Sequence, residues 1–305
     1  KSHICDISAT DGNGNEILSV RGWEELTERV PGEYRELVMQ PAVSFLTQSL
    51  SAETLGSPAT DIASAFITDV PYAIFERNEE IWLRIMSRIV LSDAERKGFR
   101  EKTGSVSRRT EWLFGRIAAK EAVRRFLQDR YQARWSFADV KIFANDLGKP
   151  YAVGDWSEYL PAKLDIAIAH TAQFVIALAA ANARVGVDVE SAMRDLSGEF
   201  TAGVFTPEEL ALAADTVKAS QSIIRFWCAK EAVSKALGTG IRYSPKELIV
   251  TSANEDASRL TLRLEGGWAD AFRKLKGRDV PVTTRLVRDH ALAFCFIPAI
   301  LFDED

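Results

Sequence analysis

The pentapeptide Ala119-Lys120-Glu121-Ala122-Val123 returns as Ala229-Lys230-Glu231-Ala232-Val233, 110 residues further along a chain of 305. The echo continues downstream of each copy. Ala144-Asn145-Asp146 is matched by Ala253-Asn254-Glu255, and the apolar run Phe174 to Ala181 by His290 to Ile297. Two copies are too few for a solenoid, whose units need several neighbours to bury their faces, so they imply one body with internal pseudo-symmetry. The expected fold is α+β, a pseudo-two-fold duplication of an α/β unit. Its halves run from about 61 to 180 and from 181 to 305, and the cleft between them is the natural place for a ligand.

The copies diverge where chemistry would sit. Phe226, Ala229, Val233, Ala236 and Leu237 recur at the spacing of a helix's core-facing stripe, with Glu231 and Lys235 on the other side. Gly238 and Gly240 stop that helix. In Gly186-Val187-Asp188-Val189-Glu190 the alternation of a strand puts both carboxylates on one face. This Asp-Val-Glu strand reads as a feature of one copy only, and Lys235 stands where the first copy has Arg125, so only one site is complete. Two acids on a strand and one on a helix can converge on a hard cation such as Mg2+, which takes carboxylates together with substrate phosphates. Alone, Glu231 and Lys235 also fit a solvated i, i+4 ion pair of about 0.3 to 0.5 kcal/mol. Glu121 is read in that second way, paired with Arg125.

Composition narrows the class. Apolar residues make up 47% of the chain, enough for a sizeable core. A net charge of -5 argues against a general nucleic-acid or anionic-membrane binder. Three cysteines without paired spacing suit a reducing compartment, and no apolar run approaches the roughly 20 residues of a membrane span. A cytoplasmic protein is expected, without nucleic-acid or membrane partners. No Gly-x-Ser-x-Gly elbow and no Walker loop is present. Cys228 beside Trp227 reads as a small buried hydrophobe rather than as a nucleophile paired with His170.

Toward the N-terminus, Ile4 to Ser8 and Ile17 to Arg21 flank a Gly- and Asn-rich turn and predict a β-hairpin. The loop Asp11 to Asn15 lacks the twelfth-position acid of a calcium loop. Residues 51 to 65 are small and polar and read as a linker, with residues 1–60 set apart from a body of 61–305. Phe66 to Phe75 reads as a strand, 81 to 90 as a strand or short helix, Ser92 as an N-cap, and Arg108 to Leu127 as a long helix.

Taken in order, Gly148-Lys149-Pro150, Ile168-Ala169-His170-Thr171, Gly186-Val-Asp-Val-Glu190 and Phe226-Trp-Cys-x-Lys-Glu-Ala-x-x-Lys235 resemble the signature of the 4'-phosphopantetheinyl transferases. The resemblance is to the larger two-half form typical of secondary metabolism. One departure is Ala169, where that family usually has a serine, so a hydroxyl contact is missing or is supplied by Thr171. More weakly, Gly14 to Pro41, with Val20-Arg-Gly-Trp-Glu24, resembles the closing strands of a polyketide synthase dehydratase domain. Together with a first residue that is Lys1 rather than Met, this implies a segment excised from a polyketide synthase.

The resemblance implies transfer of the 4'-phosphopantetheine arm from CoA to a serine of an acyl carrier protein, separate or within the same polypeptide, releasing 3',5'-ADP. Asp188, Glu190 and Glu231 would hold Mg2+. Glu231 would take the serine proton, Lys235 would act on the leaving phosphate, and Asp188 would share in catalysis. Arg108, Arg109, Arg116, Lys149, Pro150, His170, Thr171 and Lys230 would contact CoA, with Lys149 and the arginine pair on its 3'-phosphate. Each of these also has an ordinary reading, as a solvated surface charge or a strand-end histidine. A non-catalytic docking domain that keeps the transferase fold is the alternative, and a metal-dependent phosphohydrolase acting on CoA-like compounds is a third.

Overall fold

The computed structural model describes residues 2–26, 31–56, 61–76, 80–194, 196 and 198–302. The predicted hairpin is present, as β1 (Ser2–Thr10) and β2 (Glu16–Leu26) paired antiparallel. Its turn is closed by the Asp11 carboxylate, which accepts the amides of Asn13 and Asn15 and so is satisfied within its own loop. Two short helices follow, α1 (Gly32–Met39) and α2 (Ala52–Leu55), the latter capped by the Ser51 hydroxyl.

The body is the duplication that the repeat implies. Its first half runs β3 (Ile62–Thr68), α3 (Tyr72–Glu76), α4 (Ile81–Val90), α5 (Asp93–Glu101), α6 (Val106–Tyr131), β4 (Lys141–Ala144), β5 (Pro150–Val153), β6 (Leu164–His170) and β7 (Phe174–Ala181). Its second runs β8 (Ala183–Ser191), α7 (Gly198–Val204), α8 (Pro207–Ala214), α9 (Ala219–Leu237), β9 (Leu248–Ala253), β10 (Arg259–Leu264), α10 (Gly266–Ala271), β11 (Val280–Val287) and β12 (His290–Pro298). The sheets are antiparallel, in the orders β3-β7-β6 and β8-β12-β11-β10-β9, with β4 and β5 as a separate ribbon.

Alternation along the strands builds the layers. On β7, Val175, Ala177 and Ala179 face α6, while Phe174, Ile176, Leu178 and Ala180 turn to a core between the two sheets. Val185, Val187, Val189, Leu292 and Phe294 fill that core from the other side, and Ala291, Ala293 and Cys295 face α9. Helix, sheet, sheet and helix therefore stack in order, and every residue of β7 is buried. Among the described residues no helix is long and apolar enough to cross a membrane.

The two halves share a buried ion pair at the same place. Lys230 Nζ donates to the Val204 carbonyl (3.0 Å), Glu209 (2.9 Å) and the Pro245 carbonyl (2.9 Å). Lys120 Nζ does the same with the Val90 carbonyl (2.8 Å), Glu95 (2.7 Å) and the Phe137 carbonyl (3.0 Å). Each glutamate caps a helix through Thr206 or Ser92 and accepts one amide of the following strand, Val250 or Ile142. In each half one lysine pins the long helix, the capping turn before it and the hairpin after it.

Three expectations are corrected here. The span Phe66 to Phe75 is not one strand, because Asp69 takes a positive φ of 59° and Pro71 follows, ending β3 before α3. The stretch 51 to 65 is not a linker: it holds α2 and most of β3, whose Ala63 and Ala65 are small because they lie in the core under α6. Of that stretch, residues 57–60 lie outside the described residues. The Asp-Val-Glu strand is not unique to one copy either. β8 pairs with β12 as β3 pairs with β7, and Ala65 opposite Ala177 holds the register of Asp188 opposite Ala293. The acids, not the strand, are what the first copy lacks.

Residues 32–55 are also built into the first half. Tyr34, Leu37 and Leu46 belong to its core, and the Arg124 guanidinium gathers the carbonyls of Pro41, Ala42 and Ser44. Glu121, read as an exposed partner of Arg125, is instead fully buried and accepts the amides of Leu46 and Thr47, both at 2.8 Å. An N-terminal unit ending at 60 would cut through this packing.

Candidate active site

Gly186, Asp188 and Glu190 share the face of β8 that meets α9. A Cβ on Gly186 would stand 1.8 Å from the Ala232 carbonyl oxygen and 2.7 Å from the Ala236 nitrogen. Glycine thus lets the helix lie directly on the strand. In consequence Lys235 Nζ reaches Asp188 Oδ1 at 2.8 Å. Asp188 is 7% exposed, and its Oδ2 is buried with no hydrogen-bond partner.

Glu231, one helical turn before Lys235, feels both strand acids. Burial first, then the negative charges of Asp188 and Glu190, push its carboxyl up to about 7 against the opposing pull of Lys235. For Lys235, burial alone would lower the ammonium, but the Asp188 carboxylate together with Glu231 outweighs it and the net shift is upward. The buried Cys228 thiol is raised well above its usual range by burial and then by the same two acids, so it is no thiolate nucleophile. Glu190 is held by Arg194 and by the Trp227 indole N–H at 3.1 Å. Among the described residues no three His, Cys, Asp or Glu side chains already close on a common point as metal ligands.

His170 ends β6 on the facing edge. Burial lowers its imidazole, and the charges of Glu111, Lys235 and Asp188 act on it, which puts it in the electrostatic reach of the cluster. Between the halves lies a cavity of about 210 Å³ lined by Gly148, Lys149 and Pro150, by Ile166 and Ile168 of β6, and by Lys235 and Gly238. A second, of about 490 Å³, opens beyond Lys149 and Pro150 toward Tyr151, Lys163 and Arg184. A third cavity, of about 510 Å³, lies against Pro281, Phe294 and Phe296 and contains none of the residues above.

The structure thus brings together Asp188, Glu231 and Lys235, with Glu190 and His170 beside them. It puts others elsewhere. Lys230, expected on CoA, is wholly buried in the Glu209 pair and has no face toward the cleft. Lys149 lines the cleft, but its ammonium is turned inward to Asp165 at 2.7 Å. Thr171 cannot easily replace the missing serine: its hydroxyl accepts the amides of Gln173 and Phe174 and pairs with His290 Nε2, which fills its capacity. Arg108 is exposed, Arg109 is paired with Glu80 at 2.5 Å, and Arg116 stacks on Trp112 at 4.4 Å. Glu111, Arg194 and Asp165 escaped the sequence reading, since an isolated charge on a helix, turn or strand carries no local signal. Trp227, within the Phe-Trp-Cys run, carried one.

Residues 184–295 match the family model of the 4'-phosphopantetheinyl transferase superfamily. The holo-[acyl-carrier-protein] synthase of Cereibacter sphaeroides is 32% identical over 111 residues, which span 81% of that protein and 36% of this chain. The chain belongs to the 4'-phosphopantetheinyl transferase superfamily. The synthase of Bradyrhizobium is 33% identical over 100 residues, 72% of its length and 31% of this chain. A crystal structure of the Bacillus anthracis synthase in complex with CoA (3',5'-ADP) aligns with a TM-score of 0.31 at 24% identity, over 94% of that chain and 40% of this one. The superfamily match begins at the start of β8 and ends within β12, so it covers the second copy and includes Asp188, Glu190, Glu231 and Lys235.

Proposed function

We propose that this chain transfers 4'-phosphopantetheine from CoA to a serine hydroxyl of an acyl carrier protein. The observation that carries the reading is the part-buried Asp188–Lys235 pair beside a carboxyl lifted to about 7, with Lys235 lining the cleft between the halves. The donor set fits a divalent cation: Asp188 offers a buried, unpartnered oxygen, and Glu231 and Glu190 add two carboxylates that repel it in the cation's absence. Asp188, Glu190 and Glu231 would hold Mg2+, Glu190 after release from Arg194. When bound, the ion would neutralise pyrophosphate charge.

Glu231, as the carboxylate, takes the serine proton as the serine oxygen bonds to the β-phosphorus of CoA. The bond from that phosphorus to the bridging oxygen breaks, and 3',5'-ADP departs with the electron pair. Lys235, kept protonated by Asp188, offers its charge to the departing phosphate. His170 and Pro150 border the CoA side, with Arg108, Arg109 and Arg116 at the near end of α6. The two-copy body and the weak N-terminal resemblance support a transferase of the secondary-metabolism type, acting in the cytoplasm on carrier domains of a polyketide synthase, its own included.

The test is the mass of a free acyl carrier protein after incubation with the chain, CoA and Mg2+. A phosphopantetheine increment on the serine that disappears in Asp188→Asn supports the reading. An unchanged carrier with release of phosphate from CoA would move the chain to the phosphohydrolases, and no reaction at all would favour the docking domain.

A further inference from the structure

Lys149 sits in a loop that aims it at the other half of the molecule. Asn145 Oδ1 accepts the amides of Leu147 (3.0 Å) and Lys149 (2.9 Å), and Gly148, at a φ of 83°, turns the chain so that the lysine points away from solvent. Its ammonium then meets four oxygens: Asp165 Oδ2 at 2.7 Å and the carbonyls of Lys235 (3.1 Å), Ala236 (3.2 Å) and Val185 (3.3 Å). An ammonium has three protons, so no donor remains for a phosphate. Two of the carbonyls belong to the last turn of α9, where that of Lys235 also accepts the Gly238 cap amide at 3.1 Å and where a cation is favoured.

Asp165 completes the link. Its Oδ2 also accepts the Val185 amide of β8 at 2.7 Å, so one carboxylate of the first half holds both Lys149 and a backbone group of the second. Gly238 makes room for the lysine stem: even its absent Cβ would lie only 3.0 Å from Lys149 Cδ. The second half has the same hairpin without the device. Asn254 Oδ1 accepts the Arg259 amide as Asn145 Oδ1 accepts that of Lys149, but this loop is one residue longer, and Arg259, which holds the place of Lys149, is exposed to solvent. Like the complete acid set, the link occurs on one side only.

We propose that Lys149 is a positioning residue that, with Asp165, bolts the last turn of α9 to the first half and thereby holds Lys235 at the cleft. This rests on the transfer reading and replaces a direct role for Lys149 on the 3'-phosphate. Loosening the turn displaces Lys235 from Asp188 whichever nucleotide is bound.

The test measures kcat and KM for the full chain, Lys149→Met, Asp165→Asn and the double variant, with CoA and with dephospho-CoA, which lacks the 3'-phosphate. The bolt predicts a fall in kcat of about tenfold or more, equal for the two substrates, since small misplacements of a reacting group are costly. Asp165→Asn should match it, and the double variant should be no worse than either single one. A loss confined to KM for CoA, with Asp165→Asn silent, would make Lys149 a phosphate contact and overturn the proposal. Reduced thermal stability with kcat unchanged would overturn it as well, leaving a purely structural pair. Should the parent chain transfer from neither substrate, the functional reading fails, and amide exchange decides on the bolt. Faster exchange at Gly238 and Thr239 in both variants supports it, and unchanged exchange refutes it.

Discussion

The α-carbon of Gly186 lies against the peptide carbonyl of Ala232, so close that a methyl group on it would overlap that oxygen. This contact sets the spacing between β8 and α9, and the spacing lets Lys235 and Glu231 face Asp188. Gly186→Ala should therefore push the helix outward and lower transfer by about a hundredfold, as expected when reacting groups move by an ångström. Stability should fall by about 1 to 3 kcal/mol from overpacking. Kinetics beside urea unfolding separate the two effects, and a stable Gly186→Ala variant with parental kcat would show that the separation of helix and strand does not matter.

The rate should follow the ionisation of Glu231. Its carboxyl is raised from 4.5 to about 7 by burial and by Asp188 and Glu190, while Lys235 opposes the rise. Mg2+ held by Asp188, Glu190 and Glu231 would pull this carboxyl back down, so activity limited by this base should rise with pH below 7. Lys235→Met removes the opposing charge and should move that limb upward. For stability the sign is the reverse of the common carboxylate case. Between 4.5 and about 7 the folded state binds more protons than the unfolded state, so stability falls as pH rises through that window. Glu231→Gln should flatten that fall, as read by urea midpoints at pH 5 and pH 8. Equal midpoint differences in parent and variant would remove Glu231 from the account.

Lys120 and Lys230 make one prediction between them. Each leaves a buried glutamate without its counter-charge when replaced, so Lys120→Met and Lys230→Met should each destabilise by about 3 to 5 kcal/mol. Adding Glu95→Gln or Glu209→Gln should recover part of the loss. Neutralising the orphaned acid removes the larger cost, while the amides at Ile142 and Val250 keep an acceptor. Titration calorimetry with CoA on the folded fraction checks the other possibility. If Lys230→Met weakened CoA binding without affecting unfolding, the resemblance-based role of Lys230 would stand after all.

The duplication, the site-bearing strand and the helix after it were legible because they rest on periodicity, which sequence displays directly. The burial of Lys230 was legible in principle: it follows Phe226 by four residues and precedes Val233 by three, which places it on the core stripe. Its charge hid this, since a lysine reads as solvated until a buried partner is known, and Glu209 is far away in sequence. β3 went unrecognised as the counterpart of β8 because Ala65 and Ile67 hold the places of Asp188 and Glu190, so nothing in the residues signals kinship. The inward turn of Lys149 depends on which carbonyls a long side chain can reach across two halves. Spacing along one strand of sequence contains no such information.

The packing of residues 32–55 on the first half leads us to expect a division at about residue 31 rather than 60. The ribbon of β1 and β2 exposes Ile4, Ile17, Leu18 and Trp23, and a two-stranded ribbon has little stability of its own. The segment after it supplies Tyr34, Leu37 and Leu46 to the core and the amides that satisfy Glu121. A chain starting at Pro31 should thus be soluble, more so than the parent because exposed apolar surface is gone, and should keep full transfer activity. A chain starting at Ser57 loses several buried side chains, at about 2 to 5 kcal/mol for each large one, and strips the buried Glu121 of the amides that hold it. Since a domain of this kind has only about 5 to 15 kcal/mol of stability, the shorter chain should fail to fold. Soluble yield, circular dichroism and carrier-protein mass for the two truncations decide the matter. A folded, active chain starting at Ser57 would show that α1, α2 and the turn between them are an accessory layer, and that the first half closes over Glu121 without them.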